Sequence, residues 1–287
     1  FIGTTISGSK LWIRIAGFTI QPGEFAKVFI VLFLAGYLAE NRELLSISNR
    51  KILGFKIPRL RLLLPLFAVW GVCLLVVVFE RDLGSAVLFY TIFLLMLYVA
   101  TGRFSYVVIG LALLAVGAVG AYKFLSHVQV RFQVWVDPFK DAQGQGYQIV
   151  QSLYAIGSGG LFGLGLGQGR QKYLYLPEEH NDFIFPVVCE ELGFVGAIAI
   201  LILFALLVIR GYWLAMHMRD RYSFLVTAGI TTLLAIQVIL NVAVVTNLVP
   251  CTGISLPFFS YGGTALLIQL AEMGIVLSAS RDIPVRQ

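Results

Sequence analysis

A chain of 287 residues that is 59% hydrophobic and 13% charged, with a mean hydropathy of +0.88, cannot hide its apolar side chains inside a water-soluble fold. Composition therefore excludes the soluble globular class and predicts a polytopic integral membrane protein. The net charge of +6 reads as a topology signal in such a chain, and no nucleic-acid partner is expected.

The opening residues, with Gly3, Gly8 and Trp12, read as a structured loop and show no basic region followed by an apolar run. Because the chain begins at Phe1, the expectation is that the natural protein has a further N-terminal part. Apolar stretches able to cross roughly 30 Å of hydrocarbon then fall at 24–39, 62–79, 83–100, 105–124, 187–209, 223–245 and 262–279. This predicts an all-α transmembrane bundle of about seven helices forming one domain over residues 1–287. The charged triplet Glu80, Arg81 and Asp82 fits a tight hairpin between the second and third spans, because charge at hydrocarbon depth is costly.

Basic residues in the short connections set the orientation. Arg42, Arg50, Lys51, Lys56, Arg59 and Arg61, then Arg103, then Arg210, Arg219 and Arg221, and finally Arg281 and Arg286 all fall on one side, while 246–261 carries no charge. Phe1 is thus expected outside and Gln287 in the cytoplasm.

The stretch 125–186 is the outlier, a large extracytoplasmic loop in which charged and aromatic residues mix. Within it, the run from Gly157 to Gly169 either cradles a phosphate through consecutive amides or turns back to pack small residues against helices. Cys73, Cys189 and Cys251 show no metal or disulfide spacing, and His127, His180 and His217 are far apart, so no protein metal cage is expected.

Polar residues within apolar spans need a reason. Glu24 and Lys27 share a helix face as an entry-turn pair, and Gln237 with Asn241 form a stripe expected to serve as packing glue between helices. Glu190 and Glu191 cannot occupy one helix face, so at least one meets water or a basic partner, and Glu272 lies within the last span. Asp182, at the outer start of the fifth span, either caps that helix or acts as a general base.

The runs Ser7-Gly-Ser-Lys-Leu-Trp-Ile13, Gln21-Pro-Gly-Glu-Phe-Ala-Lys27, Glu80-Arg-Asp-Leu-Gly84, Asp137-Pro-Phe139, Gly146-Tyr-Gln148, Ile156-Gly-Ser-Gly-Gly-Leu-Phe-Gly163, Asn181-Asp-Phe-Ile-Phe185, Glu190-Glu-Leu-Gly193 and Leu256-Pro-Phe-Phe-Ser-Tyr-Gly-Gly263 follow one another along the chain. Together they resemble the SEDS (RodA/FtsW/SpoVE) family of bacterial cell-wall polymerases. The resemblance implies helices four to ten of a ten-helix fold in the bacterial cytoplasmic membrane. It implies a peptidoglycan glycosyltransferase that polymerises lipid II at the outer face, working with a class B penicillin-binding protein and a nascent glycan strand among membrane lipids.

The same resemblance makes Asp182 the catalytic residue and places Trp12, Glu178, Glu191, Glu24 and Lys27 at or near the substrate cavity. Lys172, Arg14, Lys10 and Arg131 are the candidate cations for the donor's diphosphate, with Lys172 first because it is closest to Asp182 in sequence. Mg²⁺ or Mn²⁺ held by that diphosphate, without protein ligands of its own, is a further expectation. Gly23, Asn181 and Glu179 depart from the residues usual in the family. The competing expectations are a flippase or transporter of lipid-linked precursors and a non-catalytic scaffold for the penicillin-binding protein.

Overall fold

The structure is a computed structural model that describes residues 4–6, 9–15, 18–46, 50–52, 55–57, 64, 68, 71–72, 82–173 and 175–281, with side chains from residue 20 onward except in 42–57. The described helices are α1 (Pro22–Ser46), α2 (Leu83–Thr101), α3 (Phe104–Phe124), α4 (Ser126–Val136), α5 (Tyr147–Ser158), α6 (Ile184–His217), α7 (Arg221–Val245) and α8 (Gly263–Ser280). Six of them, all but α4 and α5, contain a segment long and apolar enough to cross a membrane. Most of the span expected at 62–79 lies outside the described residues. The opening loop forms a three-stranded antiparallel meander, β1 (Thr4–Ile6), β2 (Ser9–Ile15) and β3 (Phe18–Ile20), and β4 (Arg50–Ile52) pairs with β5 (Phe55–Ile57).

Local chemistry sets the helix ends. Asp82 caps α2, its carboxylate accepting from the Ser85 amide at 3.0 Å and the Ser85 hydroxyl at 2.5 Å. Gly102 ends the same helix at φ 68°, a left-handed conformation that glycine adopts without steric cost, and its amide returns to the Tyr98 carbonyl. α6 outruns the 187–209 expected for it. Its last turns are polar but remain helical, with the Arg210 guanidinium 4.1 Å from the Trp213 ring and His217 Nδ1 against the Trp213 carbonyl.

The chain divides into two compact units. One comprises residues 1–113, 208–236 and 263–287. Its core is built from Val31, Leu34 and Ala35 of α1, Leu88, Ile92 and Met96 of α2, and Ile230, Leu233 and Leu234 of α7, all buried. A Cβ at Gly229 would lie 2.7 Å from Val31 Cγ1 and 3.0 Å from Met96 Cε, so the absent side chain is what admits α7 against α1 and α2. Also buried here are Glu24, Lys27 and Glu272; Glu24 and Lys27 form the expected pair at 2.6 Å, and Glu272 lies in the field of both.

The second unit comprises residues 114–207 and 237–262. Its apolar centre gathers Ile149, Leu176, Phe183, Phe185, Val244 and Leu256. The stretch 125–186 is largely structured: α4, a 3-10 turn at Pro138–Asp141 and α5 occupy its first half. α5 buries Ile149, Val150, Ser152 and Ala155 along one face, and Ser152 Oγ donates to the Val245 carbonyl at 2.7 Å.

Candidate active site

α6 is kinked at Gly193, where φ is 68° and ψ −171°. The opened helix bonds to the glycine run on both sides of the kink: Leu164 and Gly165 amides donate to the Glu190 and Glu191 carbonyls, and Phe194 and Val195 amides donate to Gly160 and Leu161 carbonyls. Any side chain at Gly163 or Gly193 would collide with this backbone. Of the two readings of the run, packing against a helix is the one the backbone adopts.

Amides at the end of the run and just beyond it hold carboxylates. Gly167 N donates to Glu191 Oε2 at 3.0 Å, and the Arg170 and Gln171 amides donate to Glu190 at 2.9 and 3.1 Å. Lys172 Nζ lies 2.5 Å from Glu191 Oε1, and that hydrogen bond raises the lysine above its ordinary range. Glu190 is 1% exposed. Each glutamate has its own set of donors, which answers the expectation that the two cannot share one helix face. Lys172 is thereby committed to Glu191.

Asp182 lies two residues before α6, in a loop closed by the Asn181 and Phe183 amides donating to the Glu178 carbonyl. Glu178 itself is left-handed at φ 55°, and Asn181 Nδ2 donates to its carboxylate. Asp182 is half-buried by area, yet its carboxyl is largely desolvated. Burial pushes its pKa up to about 7, the Glu178 charge adds to the rise, and the Asp182 backbone amide and the Arg131 guanidinium oppose it. Arg131, from α4, also donates to the Cys251 carbonyl at 3.2 Å. Cys251 is itself driven up to about 11 by burial and the Asp182 charge, so it stays a thiol.

A second loop, residues 246–262, closes over this acid. Asn241 Nδ2 donates to the Asp182 carbonyl at 2.7 Å and to the Ile254 carbonyl at 2.8 Å. Ser260 Oγ donates to the Asn181 carbonyl at 2.7 Å and accepts from the Leu256 amide. The Tyr261 amide reaches the His180 carbonyl at 2.6 Å. Gly253, at φ 75°, presents bare backbone to the acid: an added Cβ would sit 3.8 Å from Asp182 Oδ2.

The second unit thus gathers Asp182, Glu178 and Arg131, with Lys172 and Glu191 as a separate pair. Glu24 and Lys27 belong to the first unit. Lys10, Trp12 and Arg14 lie on β2, and their side chains are outside the described residues. Sequence reasoning gave Asn241 to helix packing and passed over Ser260; an asparagine inside an apolar span was the available signal for the first. Among the described residues, no three His, Cys, Asp or Glu side chains converge as metal ligands.

Six helices long and apolar enough to span a membrane, with an acid desolvated two residues before one of them, define a polytopic membrane protein with an acidic site. The chain belongs to the FtsW/RodA/SpoVE family of cell cycle proteins, whose model matches residues 1–283. It is 45% identical over 274 residues to the peptidoglycan glycosyltransferase RodA of Mycobacterium bovis, covering 96% of this chain and 58% of that relative. It is 41% identical over 281 residues to the stage V sporulation protein E of Bacillus subtilis, covering 98% of this chain and 74% of the relative. The chain therefore spans little more than half the length of the mycobacterial relatives it matches.

Solved structures agree on the helical fold. A chain from a peptidoglycan synthase complex, described for its structural coordination of polymerization and crosslinking, superposes with a TM-score of 0.72 at 29% identity, covering 99% of this chain and 77% of that one. The rod shape determining protein RodA of Thermus thermophilus gives 0.61 at 28% identity, covering 100% and 73%.

Proposed function

We propose that this protein is a peptidoglycan glycosyltransferase that polymerises lipid II at the outer face of the bacterial cytoplasmic membrane. Family membership and the activity named for its mycobacterial relatives support the reaction class. The observation that carries the site is the Asp182 carboxyl, desolvated to a pKa of about 7 in the field of Arg131, its neighbouring peptides held by Asn241 of α7 and Ser260 of the second loop. A general base works best when its pKa lies near the operating pH.

The chemistry follows as a direct displacement. The 4-hydroxyl of an acceptor N-acetylglucosamine attacks the anomeric carbon of the donor's muramoyl sugar from the face opposite the diphosphate. The new C–O bond forms as the bond to the diphosphate breaks, and the configuration inverts. Asp182 receives the hydroxyl proton, and the lipid diphosphate leaves with the bonding electrons. Arg131 is the described cation of the candidate set whose charge acts on Asp182, so it is first in line to stabilise that departing charge. Lys172 is second, because its ammonium already serves Glu191. Lys10, Arg14 and Trp12 complete the proposed substrate set from β2, with Glu178 beside the base. Mg²⁺ or Mn²⁺ held by the diphosphate is part of the same proposal.

The proposed setting is one transmembrane domain, with 125–186 and Phe1 outside and the basic connections in the cytoplasm. The proposed partner is a class B penicillin-binding protein that cross-links the product strand. A transporter of lipid-linked precursors draws on a separate feature, the buried Glu24, Lys27 and Glu272 group in the first unit. Assay of the purified protein with labelled lipid II separates the readings. Glycan chains that form with the native protein and vanish in Asp182→Asn support the enzyme; lipid translocation without bond formation, unchanged by that substitution, supports the transporter.

A further inference from the structure

Asp182 has its two adjoining peptide groups held from two places, helix α7 and the loop that follows it. The carbonyl of the peptide preceding its Cα belongs to Asn181 and accepts from Ser260 Oγ at 2.7 Å. The carbonyl of the peptide following it is its own and accepts from Asn241 Nδ2 at 2.7 Å. Pinning the peptide planes on both sides of a Cα restricts φ and ψ together, and these set the direction of the Cα–Cβ bond.

Both anchors are themselves tied down. Asn241 is 1% exposed and spends its second N–H on the Ile254 carbonyl at 2.8 Å. Ser260 Oγ is oriented by the Leu256 amide at 2.7 Å, which leaves its proton for Asn181. Packing glue would bond one helix to another, whereas the targets here are loop carbonyls, one of them that of Asp182 itself. Gly253 in the same loop faces Asp182 Oδ2.

We infer that Asn241 and Ser260 are positioning residues for Asp182, clamping the peptides on either side of it so that the carboxylate is presented in one direction. The inference rests on Asp182 being the base. The charged and titratable groups acting on that carboxylate are Glu178 from its own loop, Arg131 from α4 and the Cys251 thiol from the clasping loop. Loosening the clamp leaves all three in place and lets water reach the acid.

The test measures kcat and KM for lipid II polymerisation across pH with the purified full-length protein, its Asp182→Asn, Asn241→Ala, Ser260→Ala and Ser260→Thr variants, and thermal melting of each in detergent. Asn241→Ala and Ser260→Ala are expected to lower kcat about ten- to a hundredfold with KM unchanged, since misplacement of a reacting group by about 1 Å costs that order. The acid limb of their pH profile is expected to move to lower pH as the carboxylate is rehydrated. Ser260→Thr, which keeps the hydroxyl, is expected to restore both.

An inactive Asp182→Asn beside Ala variants of native kcat and pH profile overturns the positioning role and leaves the base standing. Lower kcat that follows loss of melting temperature alone, with no movement of the acid limb and no rescue by threonine, also overturns it. An active Asp182→Asn removes the base assignment and the positioning role with it.

Discussion

The second unit holds carboxylates in two opposite settings. Glu190 and Glu191 are met by backbone amides and, for Glu191, by the Lys172 ammonium. Asp182 has only its own amide and the Arg131 charge to offset burial and the Glu178 charge, and its pKa rises to about 7. A carboxylate met by several donors is tied into the fold. One that is desolvated and under-solvated by the protein remains able to take a proton.

The largest test of that contrast is Asp182→Asn. Loss of a general base is expected to reduce polymerisation by at least about a hundredfold, measured as glycan product from labelled lipid II. The same substitution is expected to raise the melting temperature. A folded-state pKa lifted from 3.8 to about 7 means that ionisation opposes folding, starting as pH climbs past the unfolded value and complete above the folded one. Removing the charge at neutral pH should therefore return up to about 4 kcal/mol, at 1.36 kcal/mol per pKa unit. A melting temperature that falls sharply would make Asp182 a structural residue like its glutamate neighbours.

Glu190→Ala should do the reverse. It strips the Arg170 and Gln171 amides of their acceptor in a buried place, at a cost of about 1–3 kcal/mol, read as a lower melting temperature. Gly193→Ala is expected to destabilise by a similar amount, about 1–3 kcal/mol, because the left-handed backbone and the Gly163 amide both oppose a Cβ.

The pH dependence is a smaller effect. A base must be ionised, so the rate should fall about tenfold per pH unit below about 7 and level off above it, as seen in initial rates on lipid II. The smallest effect is expected for Lys172→Met. The pair is partly exposed, so its loss should barely move the melting temperature, and a polymerisation rate close to native would support the reading that this lysine serves Glu191. A collapse of kcat without a change in melting would return Lys172 to the diphosphate.

Some of the local geometry was legible because its signals are local. Asp182 stands out as an acid at the start of an apolar helix, and Glu24 with Lys27 as a pair three residues apart, which α1 realises at 2.6 Å. Other parts were not legible. The charged stretch 125–186 reads as a loop, yet α4 and α5 form there, since only α5 carries a clear buried face and α4 alternates more like a strand. The glycine run allowed two conformations with equal cause until the kink at Gly193 supplied partners for its backbone.

Sequence alone determined that this chain is a membrane protein, where six of the seven expected spans lie and which acid stands just before α6, because hydropathy and charge are summed along the chain and need no partner. Tertiary structure decided which acids are met by donors, which is left desolvated, and that Asn241 and Ser260 reach the peptides around Asp182. Those bonds join residues 59 and 79 positions apart. Donor supply and access to water are properties of neighbours brought together by folding, so no local pattern could announce them.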